Sequence, residues 1–154
     1  MNKQTIAQIN IKFLEHNTEK TLPFYATEGS AGMDLKACIS EDVTLPPLGR
    51  ALIGTGIAIK LPDARFGAFV FARSGLAIKS GITLANCVGV VDSDYTGEIK
   101  VGLINLSNSP YTIKNGDRIA QLVILEVAKA QFTAVDELEQ TERGAGGFGS
   151  TGRN

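Results

Sequence analysis

Apolar and polar residues alternate with a period of two along several stretches of this chain, as expected of strands with one buried face. Ile9, Ile11 and Phe13 alternate with Asn10 and Lys12, and Ile57, Ile59 and Leu61 alternate with Ala58 and Lys60. Ile99, Val101 and Leu103 keep the same rhythm, but Ile104 and Leu106 fall on the other parity, which predicts a bulge or bend there. Ala68 to Phe71 and Leu122 to Leu125 are apolar at every position and predict short strands buried on both faces. Turn signals separate these pieces: Pro46-Pro47, Pro62-Asp63 and the tight-turn dipeptide Asn115-Gly116. Many short strands between turns predict an all-β barrel or sandwich. One helical turn is predicted from Ser74 to Lys79, opened by a serine N-cap and closed at Gly81, and a second around Val135 to Leu138.

Length and charge narrow the picture. A chain of 154 residues that is 44% hydrophobic suits one domain with its own core. With 15 Lys plus Arg against 16 Asp plus Glu, no excess of positive charge draws the molecule to nucleic acid or an anionic membrane. Any phosphate must therefore be held by a local arrangement. No run approaches the ~18 apolar residues of a membrane span, and the first residues contain no signal-peptide core, so a soluble cytoplasmic protein is expected. Cys38 and Cys87 lack CxxC or metal-ligand spacing and are expected to be free, partly buried thiols. His16 stands alone in a polar stretch, and no His/Cys cluster offers a transition-metal site.

Two segments suggest chemistry without further help. Arg73-Ser74-Gly75 sits between a buried strand and a helical turn, where first-turn N–H groups lack partners and an arginine fork matches phosphate oxygens. The plain alternative is a capped turn with a surface arginine. From Gly144 to Gly152 five of nine residues are glycine and only Phe148 is large and apolar. Composition alone reads this as a linker. An aromatic ring amid glycines, beside Arg143, Ser150 and Thr151, equally suits a tail that orders over a planar ligand. Residues 1–142 are accordingly read as one β domain, a barrel or sandwich, and 143–154 as a flexible tail.

Five separated blocks then become specific: Ala31-Gly-Met-Asp-Leu, Ala72-Arg-Ser-Gly-Leu-Ala, Gly89-Val-Val-Asp-Ser-Asp-Tyr-Thr-Gly-Glu-Ile, Gly116-Asp-Arg-Ile-Ala-Gln-Leu and Arg143-Gly-Ala-Gly-Gly-Phe-Gly-Ser-Thr-Gly. Together they resemble, in order and spacing, the five motifs of the trimeric dUTPase family. The resemblance implies a distorted β-barrel of jelly-roll type, a homotrimer with shared active sites, and Mg2+-dependent hydrolysis of dUTP to dUMP and pyrophosphate. It further implies that dUMP is supplied for dTMP synthesis and that uracil is kept out of DNA.

The resemblance also implies roles. Asp92 matches the general base, which meets the 3′-hydroxyl and activates the water that attacks the α-phosphorus. Arg73, Ser74, Gly75 and Gln121 match triphosphate contacts, the glutamine from a neighbouring subunit. Asn86 and the main chain of Val90 and Val91 match the uracil site, where backbone polarity distinguishes uracil from cytosine. Tyr95 matches the residue that packs on the sugar, and Lys100 a substrate contact that varies among relatives. Arg143, Phe148, Gly149 and Ser150 match the tail that closes over base and phosphates. Asp34 matches a residue associated, through water, with a Mg2+ ion carried mainly by the substrate phosphates.

The remaining polar residues of these blocks read as structural. Asp94 is a turn former, and Asp117 with Arg118 an ion-paired turn. Two rivals share the scaffold. A dCTP deaminase is disfavoured because the Arg73 block reads Arg-Ser-Gly and Asp92 with Tyr95 follows the sugar-reading pattern. A non-catalytic dUTP-binding regulator would have a damaged catalytic block, yet Asp92, Arg73, Gln121 and Phe148 are all present.

Overall fold

The alternating stretches form strands, and the computed structural model describes residues 6–146. Ten strands and one helix follow in order: β1 (Asn10–Phe13), β2 (Met33–Lys36), β3 (Val43–Leu45), β4 (Arg50–Lys60), β5 (Phe66–Phe71), α1 (Ser74–Ser80), β6 (Ile82–Leu84), β7 (Gly89–Val91), β8 (Glu98–Asn105), β9 (Tyr111–Ile113) and β10 (Arg118–Glu126). They pair in two four-stranded sheets, β1-β4-β8-β6 and β2-β10-β5-β7, and a two-stranded sheet, β3-β9. Every pairing is antiparallel. Leu35, Ile53, Leu61, Val101, Leu103 and Ile119 are among the core residues, each exposed by no more than 1%. Burying one such side chain contributes roughly 1.5–3 kcal/mol.

Two irregularities shape the sheets. In β4 the register against β8 shifts between Gly54 and Ala58, and Gly56 sits there at φ +66°. Its N–H donates to Glu98 Oε1 at 2.9 Å, while its carbonyl accepts from Leu14 N at 2.9 Å and Asn17 Nδ2 at 3.3 Å. A Cβ at Gly56 would lie 2.7 Å from Cys38 Sγ, so the bend requires glycine on both steric and conformational grounds. In β10, Arg118 pairs with Lys36 but Ala120 with Leu35, leaving Ile119 as an extra residue. Ile119 and Ala120 are consequently both buried, and Arg118 and Gln121, three apart, emerge on the same outer side.

Several sequence expectations are corrected. No bulge lies at Ile104: β8 continues its alternation through Asn105, which is fully buried, and Leu106 lies beyond the strand. The inward position is occupied by a polar residue, so apolar parity misjudged the face. Asn105 Nδ2 donates to the carbonyls of Leu45 (2.9 Å) and Ser109 (2.8 Å), and its Oδ1 accepts from Ser107 N (2.9 Å) and Ser107 Oγ (2.7 Å). No helix forms at Val135 to Leu138, where Val135 and Leu138 are exposed and bury no face that would stabilise a turn. The helix N-cap is Arg73 rather than Ser74, with no side-chain capping bond. Leu125 is 44% exposed, so the run it ends is not buried on both faces. Cys38 is half-buried as expected, but Cys87 is exposed, at φ +63° in the link between β6 and β7; both thiols are free.

The Asn105 network holds the sheet end to the β3 region with bonds that no apolar residue replaces. Asn105→Leu is expected to cost about 2–4 kcal/mol, because several buried partners lose their bonds at once. Urea unfolding at matched protein concentration reads this directly.

Candidate active site

The bulge in β10 assembles one cluster. Gln121 lies opposite Asp34 of β2 on one side and Phe71 of β5 on the other. Asp34 thus faces outward beside Arg118, while Arg73 follows the end of β5 in extended conformation, with φ −87° and ψ 123°. Arg73 Nε donates to Asp34 Oδ1 at 2.8 Å, and Arg118 Nη1 to Asp34 Oδ2 at 3.2 Å. Arg73 Nη1 also donates to the Arg118 carbonyl at 3.1 Å. One carboxylate therefore orients two guanidiniums, and the group keeps a net positive charge. Gln121 Nε2 donates to the Ala72 carbonyl at 3.2 Å, tying the segment before Arg73 to β10.

Beside this cluster α1 begins. Its first intrahelical bond runs from Ala77 N to the Arg73 carbonyl, so the N–H groups of Ser74, Gly75 and Leu76 have no acceptor within the helix. No acidic residue stands in the first turn, and a Cβ placed on Gly75 would meet nothing within 4 Å. Open space, unpaired donors and positive charge coincide here, a combination suited to an anion. A cavity of about 240 Å³ lined by Arg73, Leu76, Tyr111, Asp117 and Arg118 adjoins it.

The remaining predicted residues lie elsewhere. β7, carrying Val90 and Val91, is an edge strand, so one row of its backbone groups has no strand partner. Asn86 and Val90 are exposed. β6 and β7 do not pair with each other; they belong to different sheets, so the link that carries Asn86 is a crossover between sheets. Asp92 and Tyr95 occupy the loop from β7 to β8, closed by Tyr95 N donating to the Asp92 carbonyl at 3.2 Å. Tyr95 OH donates to the Glu98 carbonyl at 2.9 Å. Lys100 meets Glu98, with Nζ 3.5 Å from Oε2. Arg143 closes a small local turn onto Gly146. Phe148, Gly149 and Ser150 lie outside the described residues.

Strand register separates the two groups within one chain. Val91 lies opposite Ala68, so Asp92 continues toward Gly67, whereas Arg73 follows the far end of β5. At roughly 3.3 Å per residue the two ends are about 20 Å apart. Arg73 moreover reaches across β10 to β2, away from β7. Among the described residues no hydrogen bond or ion pair links the Arg73 cluster to the Asp92 loop.

Comparison with known proteins agrees with the five blocks. The family model described as dUTPase matches residues 18–152. The chain belongs to the dUTPase family. The deoxyuridine 5′-triphosphate nucleotidohydrolase of Idiomarina loihiensis is 50% identical over 151 residues, covering 97% of this chain and 100% of the relative. That of Desulfitobacterium hafniense is 52% identical over 145 residues, covering 94% and 96%. Among solved structures, a variant dUTPase of Staphylococcus bacteriophage 80alpha with dUpNHpp superposes with a TM-score of 0.83 at 25% identity, covering 95% of this chain and 99% of that one. A dUTPase variant from phage phi11 of S. aureus, in which a structural Mg(II) ion is described, gives 0.75 at 22% identity, covering 86% and 99%. The chain is an all-β dUTPase of jelly-roll type, and as an enzyme it is a dUTP nucleotidohydrolase rather than a deaminase or an inactive binder.

The sequence reading left Arg118 as half of an ion-paired turn with Asp117. In this dUTPase Asp117 instead accepts from Lys114 N at 2.8 Å within the turn, and Arg118 joins Asp34. The signal was present in the spacing of Arg118 and Gln121, but only a bulge turns a three-residue spacing into one face of a strand. Asp34→Ala is expected to lower kcat/KM for dUTP by about ten- to hundredfold, through loss of the charged hydrogen bond that orients Arg73. Arg118→Met, which leaves the Arg73–Asp34 pair in place, is expected to cost less. Steady-state kinetics on the two variants compares them.

Proposed function

We propose that the protein is a homotrimer that hydrolyses dUTP to dUMP and pyrophosphate with Mg2+, using Asp92 as general base, in sites completed by more than one chain. The observation that carries this reading is the separation of the Arg73 cluster from the Asp92 loop. A ligand touching both takes them from different copies. Association has apolar surface available: Leu52 and Leu106 are 67% and 58% exposed, and Phe132, beyond β10, is 93% exposed. These side chains are available for contact with another chain.

In the proposed reaction Asp92 accepts a proton from water as the water oxygen bonds to the α-phosphorus. The bond from that phosphorus to the bridging oxygen breaks, and pyrophosphate leaves with the electron pair. Arg73, oriented by Asp34, and the first-turn N–H groups of α1 offset negative charge on the phosphates. Gln121 and Lys100 are proposed as further substrate contacts. Tyr95, held by the Glu98 carbonyl, packs on the deoxyribose, and the free edge of β7 with Asn86 reads uracil. The tail, with Arg143, Phe148, Gly149 and Ser150, covers base and phosphates and excludes bulk water. Residues 1–142 form the folded domain and 143–154 the closing tail.

Magnesium fits as an ion carried by the substrate. Among the described residues no three His, Cys, Asp or Glu side chains are grouped to hold a metal. Both oxygens of Asp34 already accept from guanidiniums, so its remaining lone pairs suit a water of the ion rather than the ion itself. When bound, the ion neutralises phosphate charge. Free cysteines accord with a reducing cytoplasm, and no described helix is long and apolar enough to cross a membrane. There the reaction would supply dUMP for dTMP synthesis and limit uracil in DNA.

Asp92→Asn is expected to keep affinity for a nonhydrolysable dUTP analogue while turnover falls by at least about a hundredfold; undiminished turnover would remove Asp92 as the base. Removing residues 144–154 is expected to leave a folded trimer with greatly reduced turnover. Light scattering and product analysis report the two properties, and a truncated enzyme with full activity would refute closure by the tail.

A further inference from the structure

We infer that Lys60 is a positioning residue that holds the loop carrying Asp92, an assignment that rests on Asp92 being the general base. Lys60 ends β4, past the last pairing of that strand with β8, Ala58 opposite Glu98. It lies on the same side of β4 as Ala58, two residues on, and so overhangs the start of β8. The loop that feeds β8 passes through that space. Lys60 Nζ donates to the Ser93 carbonyl at 3.0 Å, immediately after Asp92.

The other contacts of the loop are internal or lead to its own exit. Tyr95 N donates to the Asp92 carbonyl, and Tyr95 OH to the Glu98 carbonyl. The Tyr95 ring also lies against Gly97, where a Cβ would stand 2.5 Å from the phenol oxygen. These contacts shape the turn without tying it to another strand. Among the described residues, Lys60 is the one side chain from another strand that hydrogen-bonds to the loop between β7 and β8. Its anchor is β4, which pairs with β1 at Lys60 itself, opposite Asn10, and with β8 two residues earlier, at Ala58. An ammonium on a carbonyl is a charge-assisted bond and is stronger than a neutral one. Asp92 itself is exposed, so this external tie limits where its carboxylate can stand. For a base acting on a bound water, small displacements cost rate rather than affinity.

The test compares Lys60→Met and Lys60→Arg with the unaltered protein, each alone and in an Asp92→Asn background, using dUTP turnover, affinity for a nonhydrolysable dUTP analogue, and thermal unfolding. Lys60→Met is expected to lower kcat by about tenfold with KM, analogue affinity and Tm little changed. Lys60→Arg, which keeps a charged donor, is expected to regain most of the loss. In the Asp92→Asn background Lys60→Met should cost nothing more, because its effect runs through the missing carboxylate. Full kcat in Lys60→Met overturns the inference, as does a loss that persists undiminished without Asp92 or one that comes with a matching fall in Tm. Full turnover in Asp92→Asn alone removes the base assignment itself, and this is read with Lys60 intact.

Discussion

The pairing of β10 on both edges, with β2 and with β5, is the constraint on which the rest of the arrangement depends. Because β10 is shared, a single register places Asp34, Gln121 and Phe71 in one row across the sheet. The bulge at Ile119 then lets Arg118 and Gln121 face the same side while Ile119 and Ala120 both remain in the core. Arg73 inherits its position from that row, since it leaves β5 just beyond Phe71 and finds Asp34 across β10. Apolar burial and functional geometry are therefore set by the same hydrogen-bond ladder. A slip of one residue would turn the core face outward and scatter the arginines together.

The same ladder explains why the Arg73 cluster and the Asp92 loop lie apart within one chain. β7 adds to the other edge of β5 and delivers Asp92 to the end away from Arg73. The two groups are held by different contacts. The Arg73 group is fixed by ion pairs and a side-chain bond to the main chain, whereas the Asp92 group depends on a turn braced by Tyr95 and by Lys60. The proposed trimer would bring the two groups together from different chains.

Much of this was legible in the sequence, unevenly. Period-two alternation located β1 and most of β8, where one face meets the core and the other is more exposed; it also located the second half of β4, although Ile57, Ala58 and Ile59 are all buried there. It failed at Asn105, where a buried polar residue with satisfied bonds imitates a change of face. It also could not locate β3, β6 and β9, which are three residues each and too short to show a period. Val135 to Leu138 looked helical by composition, but its apolar residues find no surface to bury in this chain. The bend at Gly56 escaped notice because it depends on Glu98 and Asn17, distant in sequence. The candidate site residues were carried by resemblance in five blocks and not by periodicity. The physical links among them, above all Asp34 with Arg118, span 84 positions and emerge only from strand register.

The central claim is that Arg73 and Asp92 serve one substrate from different chains, and subunit mixing tests it most directly. Arg73→Ala and Asp92→Asn, each nearly inactive alone, are unfolded together, refolded as a mixture, and assayed for release of pyrophosphate from dUTP. Shared sites predict that activity returns in the mixture, because some sites pair the intact Arg73 of one chain with the intact Asp92 of another. A mixture no more active than the average of its two components would show that each chain must supply both residues to its own site, contradicting the account.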